Sequence, residues 1–215
     1  HPYPDIECDI CISYPEISST SELIFRLICR MGQQRDIDLK IAECIYTGMM
    51  TDTGNFSYNS QSPEIYLIIN ELLKIGINKD KIYNRVFSTY SVDRMRLMGY
   101  CLSKKMKIYK EQRAALIYLT LAECEHYNYQ IGDTEGFVNM PFSIKDIDIS
   151  ILARQDKEKI KISFRSQGSF PANKMAEEFK GGGHLNAAGG ESYFSMKKTI
   201  DMIEEAIRNR KKYEQ

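Results

Sequence analysis

The stretch Glu178–Gly190 reads Glu-Phe-Lys-Gly-Gly-Gly-His-Leu-Asn-Ala-Ala-Gly-Gly, and it carries more information than any other part of the chain. Gly181, Gly182 and Gly183 stand side by side and are followed at once by His184. A run of glycine indicates that the backbone takes a positive φ or approaches another group closely. Successive exposed N–H groups form an anion site, which a donor side chain at the edge completes for phosphate. The alternative interpretation is a flexible loop with a surface histidine.

The sequence around this stretch predicts an α/β unit. Pro171–Phe179 predicts a helix that leads into the glycines, and Glu191–Phe194 predicts a strand after them. Residues 146–154 and 159–166 predict a β-hairpin. From about Met106 onward strand signals dominate, whereas the sequence before it is mainly helical in pattern.

Polar residues flank the glycine run on the upstream side. Arg165 ends the second strand of the predicted hairpin, and its planar guanidinium is suited to donate two hydrogen bonds to a phosphate. A surface charge at a strand end is the alternative. Asn173 and Lys174 lie in the first turn of the following helix, where they can cap the helix or meet a ligand.

The first half contains one acidic residue in a distinctive position. A helix predicted over about 38–46 runs into Thr47–Phe56, and Asp52 lies there between two threonines. A polar turn after a helix is a common ligand position at the edge of an α/β sheet. The alternative is an Asx-turn or cap, in which the carboxylate only accepts hydrogen bonds from nearby N–H groups.

Composition limits the possible functions. Lysine plus arginine and aspartate plus glutamate each number 29, so the net charge is zero, which argues against a long nucleic acid as ligand. No apolar run approaches the roughly 18 residues of a membrane span. Cys8 and Cys11 form a C-x-x-C without a second pair, and the alternation in Cys8–Ile12 predicts a strand rather than a metal site. We expect a reduced cytoplasmic protein.

Three segments resemble the DHH phosphoesterase superfamily. Thr47–Gly54 resembles its fourth motif, and Phe164–Ser166 together with Gly181–Gly190 resembles the associated DHHA1 domain. The opening His1-Pro2 resembles the end of the Asp-His-His-Pro motif that names the superfamily. The resemblance covers essentially the whole chain and is strongest to the nanoRNase/pAp phosphatase branch, which includes exopolyphosphatase-related proteins.

The resemblance implies an α/β fold with two parts, in agreement with the pattern of helices and strands. Residues 1–90 would be the C-terminal portion of a DHH catalytic domain with a parallel sheet. Residues 91–105 would form a linker helix, and residues 106–215 a smaller α/β DHHA1 domain with a mixed sheet.

The resemblance also implies a phosphoesterase with two divalent metal ions, usually manganese, which can activate water and clamp the oxygens of the reacting phosphate. Asp52 matches the last metal-binding aspartate of the family. His1 matches a catalytic histidine that contacts the scissile phosphate. The implied substrate-binding residues are Arg165, Gly181, Gly182, Gly183 and His184, with weaker matches at Glu135, Gly136, Asn139, Asn173 and Lys174.

The other metal ligands of the family have no counterpart in the sequence, and we expect them upstream of His1. We therefore expect this polypeptide to lack phosphoesterase activity by itself. The implied substrates are short oligoribonucleotides or 3′,5′-bisphosphonucleotides, with neither a membrane nor a long duplex as partner; the oligomeric state stays open. The alternatives are a non-catalytic RNA- or nucleotide-binding module and a cyclic-dinucleotide phosphodiesterase.

Overall fold

The computed structural model describes residues 8–14 and 16–214. The chain divides into two compact units, with the boundary between Thr89 and Tyr90. Each unit has a hydrophobic core of its own. The longest described helix has 14 residues, whereas a bilayer span takes about 20, and no described helix qualifies as a membrane span.

All regular elements among the described residues of the first unit are helices. Its helices are α1 (Thr20–Arg30), α2 (Leu39–Asp52), α3 (Pro63–Ile75) and α4 (Lys79–Phe87), with a 3₁₀ turn at Gln34–Asp36. Local sequence explains where they begin, because Ser19, Asp38 and Asn78 accept hydrogen bonds from the first-turn N–H groups of α1, α2 and α4. The apolar faces of these helices share a core that includes the fully buried Met49, Met50 and Leu72.

Two expectations for this unit differ from the structure. The strand predicted over Cys8–Ile12 is wrong, since these residues adopt no strand and both cysteines are exposed. An alternating run needs a neighbouring strand for its backbone hydrogen bonds, and residues 16–89 contain none. The parallel sheet expected within 1–90 therefore has no strand among the described residues of this unit.

The second unit contains a mixed six-stranded sheet, which confirms the predicted α/β class. Its strands are β1 (Met106–Tyr109), β2 (Ala114–Leu119), β3 (Ile149–Gln155), β4 (Ile160–Ser166), β5 (Gly182–His184) and β6 (Ala187–Ser192), and its helices are α5 (Val92–Tyr100), α6 (Leu121–His126), α7 (Ala172–Glu177) and α8 (Met196–Arg208). The strand order is β1-β2-β3-β4-β6-β5. Only β2 and β3 pair in parallel; the other neighbours are antiparallel.

Layers of different extent cover the two faces of this sheet. Helices α7 and α8 cover one face, where Ile151, Ile162 and Phe164 are buried. On the other face, Ile117 and Leu152 pack with Leu97 of α5 and with Phe137 and Val138 of a 3₁₀ segment, Phe137–Ser143. This second layer lies over the β1–β3 side, and the same face of β4, β6 and β5 is half-exposed or exposed. We call that uncovered area the open face.

The helix predicted over 91–105 is present in two parts. Helix α5 continues into a single π-helical turn at Cys101–Lys105, directly before β1. Leu97 and Cys101 are fully buried in the core of the second unit. By its packing the segment predicted as a linker is part of the second unit, while the domain boundaries drawn from the sequence stay a prediction.

A half-buried carboxylate fixes the start of α6. Glu123 accepts hydrogen bonds from the Thr120 N–H at 2.8 Å and the Thr120 hydroxyl at 2.9 Å, in a capping box. Tyr100 also donates to it, and Lys105 pairs with it at 2.8 Å. Burial by itself would raise the pKa of Glu123, but these donors together lower that pKa to about 2.

Glu123→Gln is expected to lower the free energy of unfolding by about 2 kcal/mol at pH 7, because Lys105 loses a partner in a partly buried position. Since the folded-state pKa is lowered to about 2, this contribution is present above pH 4.5 and is lost as pH falls toward 2. Urea unfolding at several pH values measures it. Glu125→Gln, an exposed neighbour on α6, is the control, and a wild-type advantage that persisted unchanged at pH 2 would contradict the assignment.

Candidate functional site

The helix before Asp52 is longer than the sequence indicates. Instead of ending near Tyr46, α2 continues to Asp52. Gly48 lies inside it, where a Cβ would stand 1.9 Å from the Ser21 hydroxyl of α1. Gly48 therefore permits the close approach of α1, and Asp52 lies in the last turn of α2.

The turn after α2 holds Asp52 at the surface. The buried Thr53 hydroxyl donates to the Met49 carbonyl at 2.7 Å and accepts from the Phe56 N–H at 3.0 Å. Gly54 has a φ of +54°, and a Cβ there would lie 2.2 Å from the Tyr58 ring. Asp52 is exposed, and in the described part of the chain its carboxylate accepts none of the hydrogen bonds of this turn. The structure therefore does not support the Asx-turn alternative, because the side chain of Thr53, and not that of Asp52, makes the hydrogen bonds of this turn.

His1 lies outside the described residues. Within residues 8–14 and 16–214, no cluster of three or more histidine, cysteine, aspartate or glutamate side chains could hold a metal ion. Asp52 is the metal-ligand candidate from the sequence whose position the structure describes.

The register of the open face brings the two strongest candidates of the second unit together. Arg165 on β4 is opposite Ala187 on β6, and Ala187 is opposite His184 on β5. Directly opposed residues in antiparallel strands project to the same face. We name this line of side chains the phosphate row, after the phosphate contacts that the sequence analysis predicts for it. Its outer members lie two strand spacings apart, roughly 10 Å between Cα atoms, with only the methyl group of Ala187 between them.

Arg165 is oriented by the backbone of its own sheet. Its Nη1 donates to the carbonyls of Phe164 at 2.9 Å and Ala188 at 3.3 Å. Among the described residues no protein acceptor takes Nε or Nη2, so one edge of the guanidinium is available for two hydrogen bonds to an oxyanion.

The glycine run is part of a hairpin, and not the flexible loop of the alternative interpretation. Gly182–His184 form the edge strand β5, paired with β6 through a tight turn at Leu185 and Asn186. Its partner β6 spans Ala187–Ser192 and therefore begins earlier than the strand predicted at 191–194. Glycine and alanine have low strand propensity, and this concealed both strands.

Asn186 anchors the tip of the hairpin and was missed in the sequence. Its amide donates to the Ser166 hydroxyl at 2.9 Å and to the Gly168 carbonyl at 3.0 Å. These bonds tie the tip to the end of β4, next to Arg165. No local signal indicates them, because the partners are 20 and 18 residues away.

Glu135, Gly136 and Asn139 are exposed residues around the start of the 3₁₀ segment that covers β3 on the face of the phosphate row. Arg94 of α5 holds this loop, donating to the carbonyls of Gly132 at 2.9 Å and Glu135 at 2.8 Å. The sequence gives no sign of this clamp. Arg94 is thus a positioning residue for the loop.

Asn173 and Lys174 do not join the phosphate row. They lie on α7, which packs on the opposite face of the sheet through Met175 and Ala176. Lys174 lines a different cavity, of about 660 Å³, together with Arg113, Arg210 and Tyr213. The first-turn position was predicted correctly, but the sequence could not reveal which face of the sheet the helix covers.

Residues 114–209 match the model of the DHHA1 domain family. The chain is similar to the bifunctional oligoribonuclease and PAP phosphatase NrnA of Thermus thermophilus, with 29% identity over 90% of this chain and 57% of the relative. The Bacillus subtilis protein of the same name is 25% identical over 90% of this chain and 61% of the relative.

A crystal structure of an exopolyphosphatase-related protein from Bacteroides fragilis superposes on this chain with a TM-score of 0.96 and 57% identity, over 100% of this chain and 63% of the other. The resemblance to DHH/DHHA1 phosphoesterases is confirmed by these matches. The chain spans about three fifths of the length of the proteins that it matches.

Proposed function

We propose that this chain supplies the substrate-binding unit and one metal-binding carboxylate of a phosphoesterase that hydrolyses short oligoribonucleotides and 3′,5′-bisphosphonucleotides. The phosphate row carries the proposal, because it sets Arg165 and His184 on one open face with only Ala187 between them. The names of the relatives from Thermus thermophilus and Bacillus subtilis support the substrate class.

The row suits a terminal phosphate. The free edge of Arg165 offers two charge-assisted hydrogen bonds to one phosphate, which is the strongest neutralising contact available to a side chain. His184 approaches the same phosphate from the far side of Ala187 with an imidazole donor. A zero net charge favours a small substrate, since long strands are held by many phosphate contacts.

We propose that hydrolysis depends on metal ions, for which the described residues do not supply enough ligands. One exposed carboxylate, Asp52, does not make a binuclear centre, which takes several oxygen or nitrogen ligands. We propose that Asp52 is one of these ligands, that manganese binding needs further groups, and that the described residues bind substrate without hydrolysing it.

Asp52→Asn is expected to weaken the manganese binding of the chain without abolishing it, because a single carboxylate binds the ion only at roughly millimolar concentration. Mn²⁺ titration followed by electron paramagnetic resonance measures it, with Asp36→Asn, another exposed aspartate of the first unit, as control. In parallel, adenosine 3′,5′-bisphosphate should bind without metal and remain unhydrolysed. Manganese binding unaffected by Asp52→Asn would remove Asp52 from the metal site.

One observation favours a second candidate, a nucleotide-binding module without catalysis. The phosphate row lies entirely within residues 114–209, whereas the described residues contain no metal cluster. A gain in nucleotide affinity on addition of manganese that Asp52→Asn abolishes would exclude the module, whereas affinity that is independent of both manganese and Asp52→Asn would favour it.

A further inference from the structure

The C-terminal segment of the chain holds the sheet from the side opposite the open face. Helix α8 leads into a 3₁₀ turn at Arg210–Lys212. The guanidinium of Arg210 lies 5.1 Å from the centre of the Phe170 ring, which belongs to the core under α7 and α8. The Arg210 side chain is only 16% exposed. It is therefore a nearly buried cation on the α7/α8 side of the sheet.

Each nitrogen of this guanidinium donates to a protein acceptor. Nη1 donates to the Asp148 carboxylate at 3.0 Å and to the Gln112 carbonyl at 2.6 Å. Nε and Nη2 donate to the Glu214 carboxylate at 3.0 and 2.8 Å. A guanidinium bonded along two edges has a fixed orientation, and a buried ion pair by itself is weak evidence for a stabilising role. What the network does fix is the position of the groups bonded to it.

One arm of the network reaches Arg165 through Asp148. Asp148 immediately precedes β3, and its carboxylate is also paired with Arg113 at 3.2 Å. The Asp148 carbonyl accepts the N–H of Gln167 at 2.9 Å. Gln167 follows the last residue of β4 and is two residues after Arg165. The carboxylate bonded to Arg210 thus belongs to the residue that holds the chain at the end of β4.

The other arm reaches His184 through Phe170. The Phe170 carbonyl accepts from the buried Ser166 hydroxyl at 2.6 Å. The same hydroxyl accepts from the Asn186 amide at 2.9 Å, and the Ser166 N–H donates to the Asn186 carbonyl at 3.1 Å. Asn186 lies in the turn after β5, which ends at His184. The residue whose ring contacts Arg210 is thus two hydrogen bonds away from the tip of the hairpin.

The phosphate row lies at strand ends, next to irregular backbone. Strand β4 ends one residue after Arg165, and β5 ends at His184. Backbone next to irregular segments opens at a lower free energy than the middle of a sheet. Because the two side chains stand on different strands, roughly 10 Å apart, one phosphate contacts both only if neither strand end moves by more than about 1 Å.

We propose that Arg210 is a positioning residue for the phosphate row, which acts through Asp148 and Phe170 without contacting the substrate. The proposal rests on the proposed function, because it concerns how the chain keeps Arg165 and His184 at a fixed spacing for one phosphate. Without Arg210 the strands stay paired, but their ends lose the restraint from the α7/α8 side.

A double-mutant cycle of Arg210→Gln and Arg165→Ala tests the proposal by calorimetric titration of the 215-residue chain with adenosine 3′,5′-bisphosphate. In the wild-type background, Arg210→Gln is expected to weaken binding about tenfold, since a displacement of ~1 Å suffices for an effect of this size. In the Arg165→Ala background the loss should shrink to about threefold or less, because only the arm toward His184 then remains. Residues that contribute independently would give the same factor in both backgrounds.

A spectroscopic readout and a matched control separate positioning from a general effect. The Nε–Hε signal of Arg165 in a ¹⁵N-edited NMR spectrum should shift in Arg210→Gln. Lys212→Gln removes a cation of the same 3₁₀ turn together with its half-exposed 2.7 Å pair with Glu178, and it should leave both affinity and signal unchanged. Arg210→Lys keeps the charge and one of the two carboxylate contacts, so we expect its affinity to lie between those of the wild type and Arg210→Gln.

If Arg210→Gln does not fold, Arg210→Lys takes its place in the cycle, with a smaller loss expected. Binding by the folded variant at wild-type affinity would overturn the positioning role and leave the proposed function standing. Equal losses in the two backgrounds would show an independent contribution and would overturn the role as well. A wild-type chain that does not bind adenosine 3′,5′-bisphosphate would refute the proposed function, and the positioning role with it.

Discussion

Arg165→Ala is expected to weaken binding of adenosine 3′,5′-bisphosphate about 100-fold, which corresponds to the loss of two charge-assisted hydrogen bonds worth roughly 3 kcal/mol together. The side chain is held by the Phe164 and Ala188 carbonyls, so it meets the phosphate already oriented. Arg165→Lys keeps the charge but loses the planar guanidinium that donates two hydrogen bonds. We expect its affinity to fall between those of the wild type and the alanine variant.

Calorimetric titration at two salt concentrations measures this effect. Arg208→Ala, an exposed arginine of α8 on the far side of the sheet, removes the same charge and is the control for a general electrostatic contribution. Equal losses for Arg165→Ala and Arg208→Ala would mean that charge alone, and not the phosphate row, determines affinity.

Gly183→Ala is expected to lower the free energy of unfolding by roughly 3 kcal/mol, through backbone strain and overpacking together. Gly183 has a φ of +148°, and its Cβ would lie 2.6 Å from the Ala187 carbonyl oxygen. That oxygen belongs to the pairing partner of His184. Restoring normal contacts would require β5 to move away from β6, and His184 would leave the phosphate row.

Urea unfolding measures the stability change, and amide hydrogen exchange in 182–192 shows whether the hairpin opens before the rest of the unit. Gly182→Ala, one residue earlier in the same strand, has room for its Cβ and should be neutral or slightly stabilising. The same loss at both positions would show that the strand tolerates no side chain at all, contrary to the packing described above.

The sequence predicts well what is fixed by local chemistry. Helix starts at Ser19 and Asp38 follow from capping residues, and the β3–β4 hairpin follows from two apolar runs around a charged turn. Arg165 and His184 were predicted as candidates separately. Their alignment across Ala187 depends on strand register, which no short-range pattern in 160–190 specifies.

The wrong expectations have a shared physical origin. Gly182–Gly183 in β5 were interpreted by the intrinsic preference of glycine, which pairing with an adjacent strand overrides. Helix α2 was predicted too short, and it continues through Gly48, where the missing side chain leaves room for Ser21. The Arg94 clamp and the separation of Lys174 from the phosphate row depend on which faces pack together, and this information is not local in the sequence.

The parallel pairing of β2 with β3 affects which residues of this unit can change without disturbing the sheet. A parallel neighbour requires the chain to cross from one end of the sheet to the other, and here that crossing occupies the residues between Leu119 and Ile149. Within this crossing, Phe137 and Val138 are buried in the core, while Glu135 and Asn139 beside them are exposed. This crossing can lengthen, shorten or exchange its outward residues without shifting the register of any strand. The exposed residues of this crossing can therefore vary while the strands that carry Arg165 and His184 keep their register.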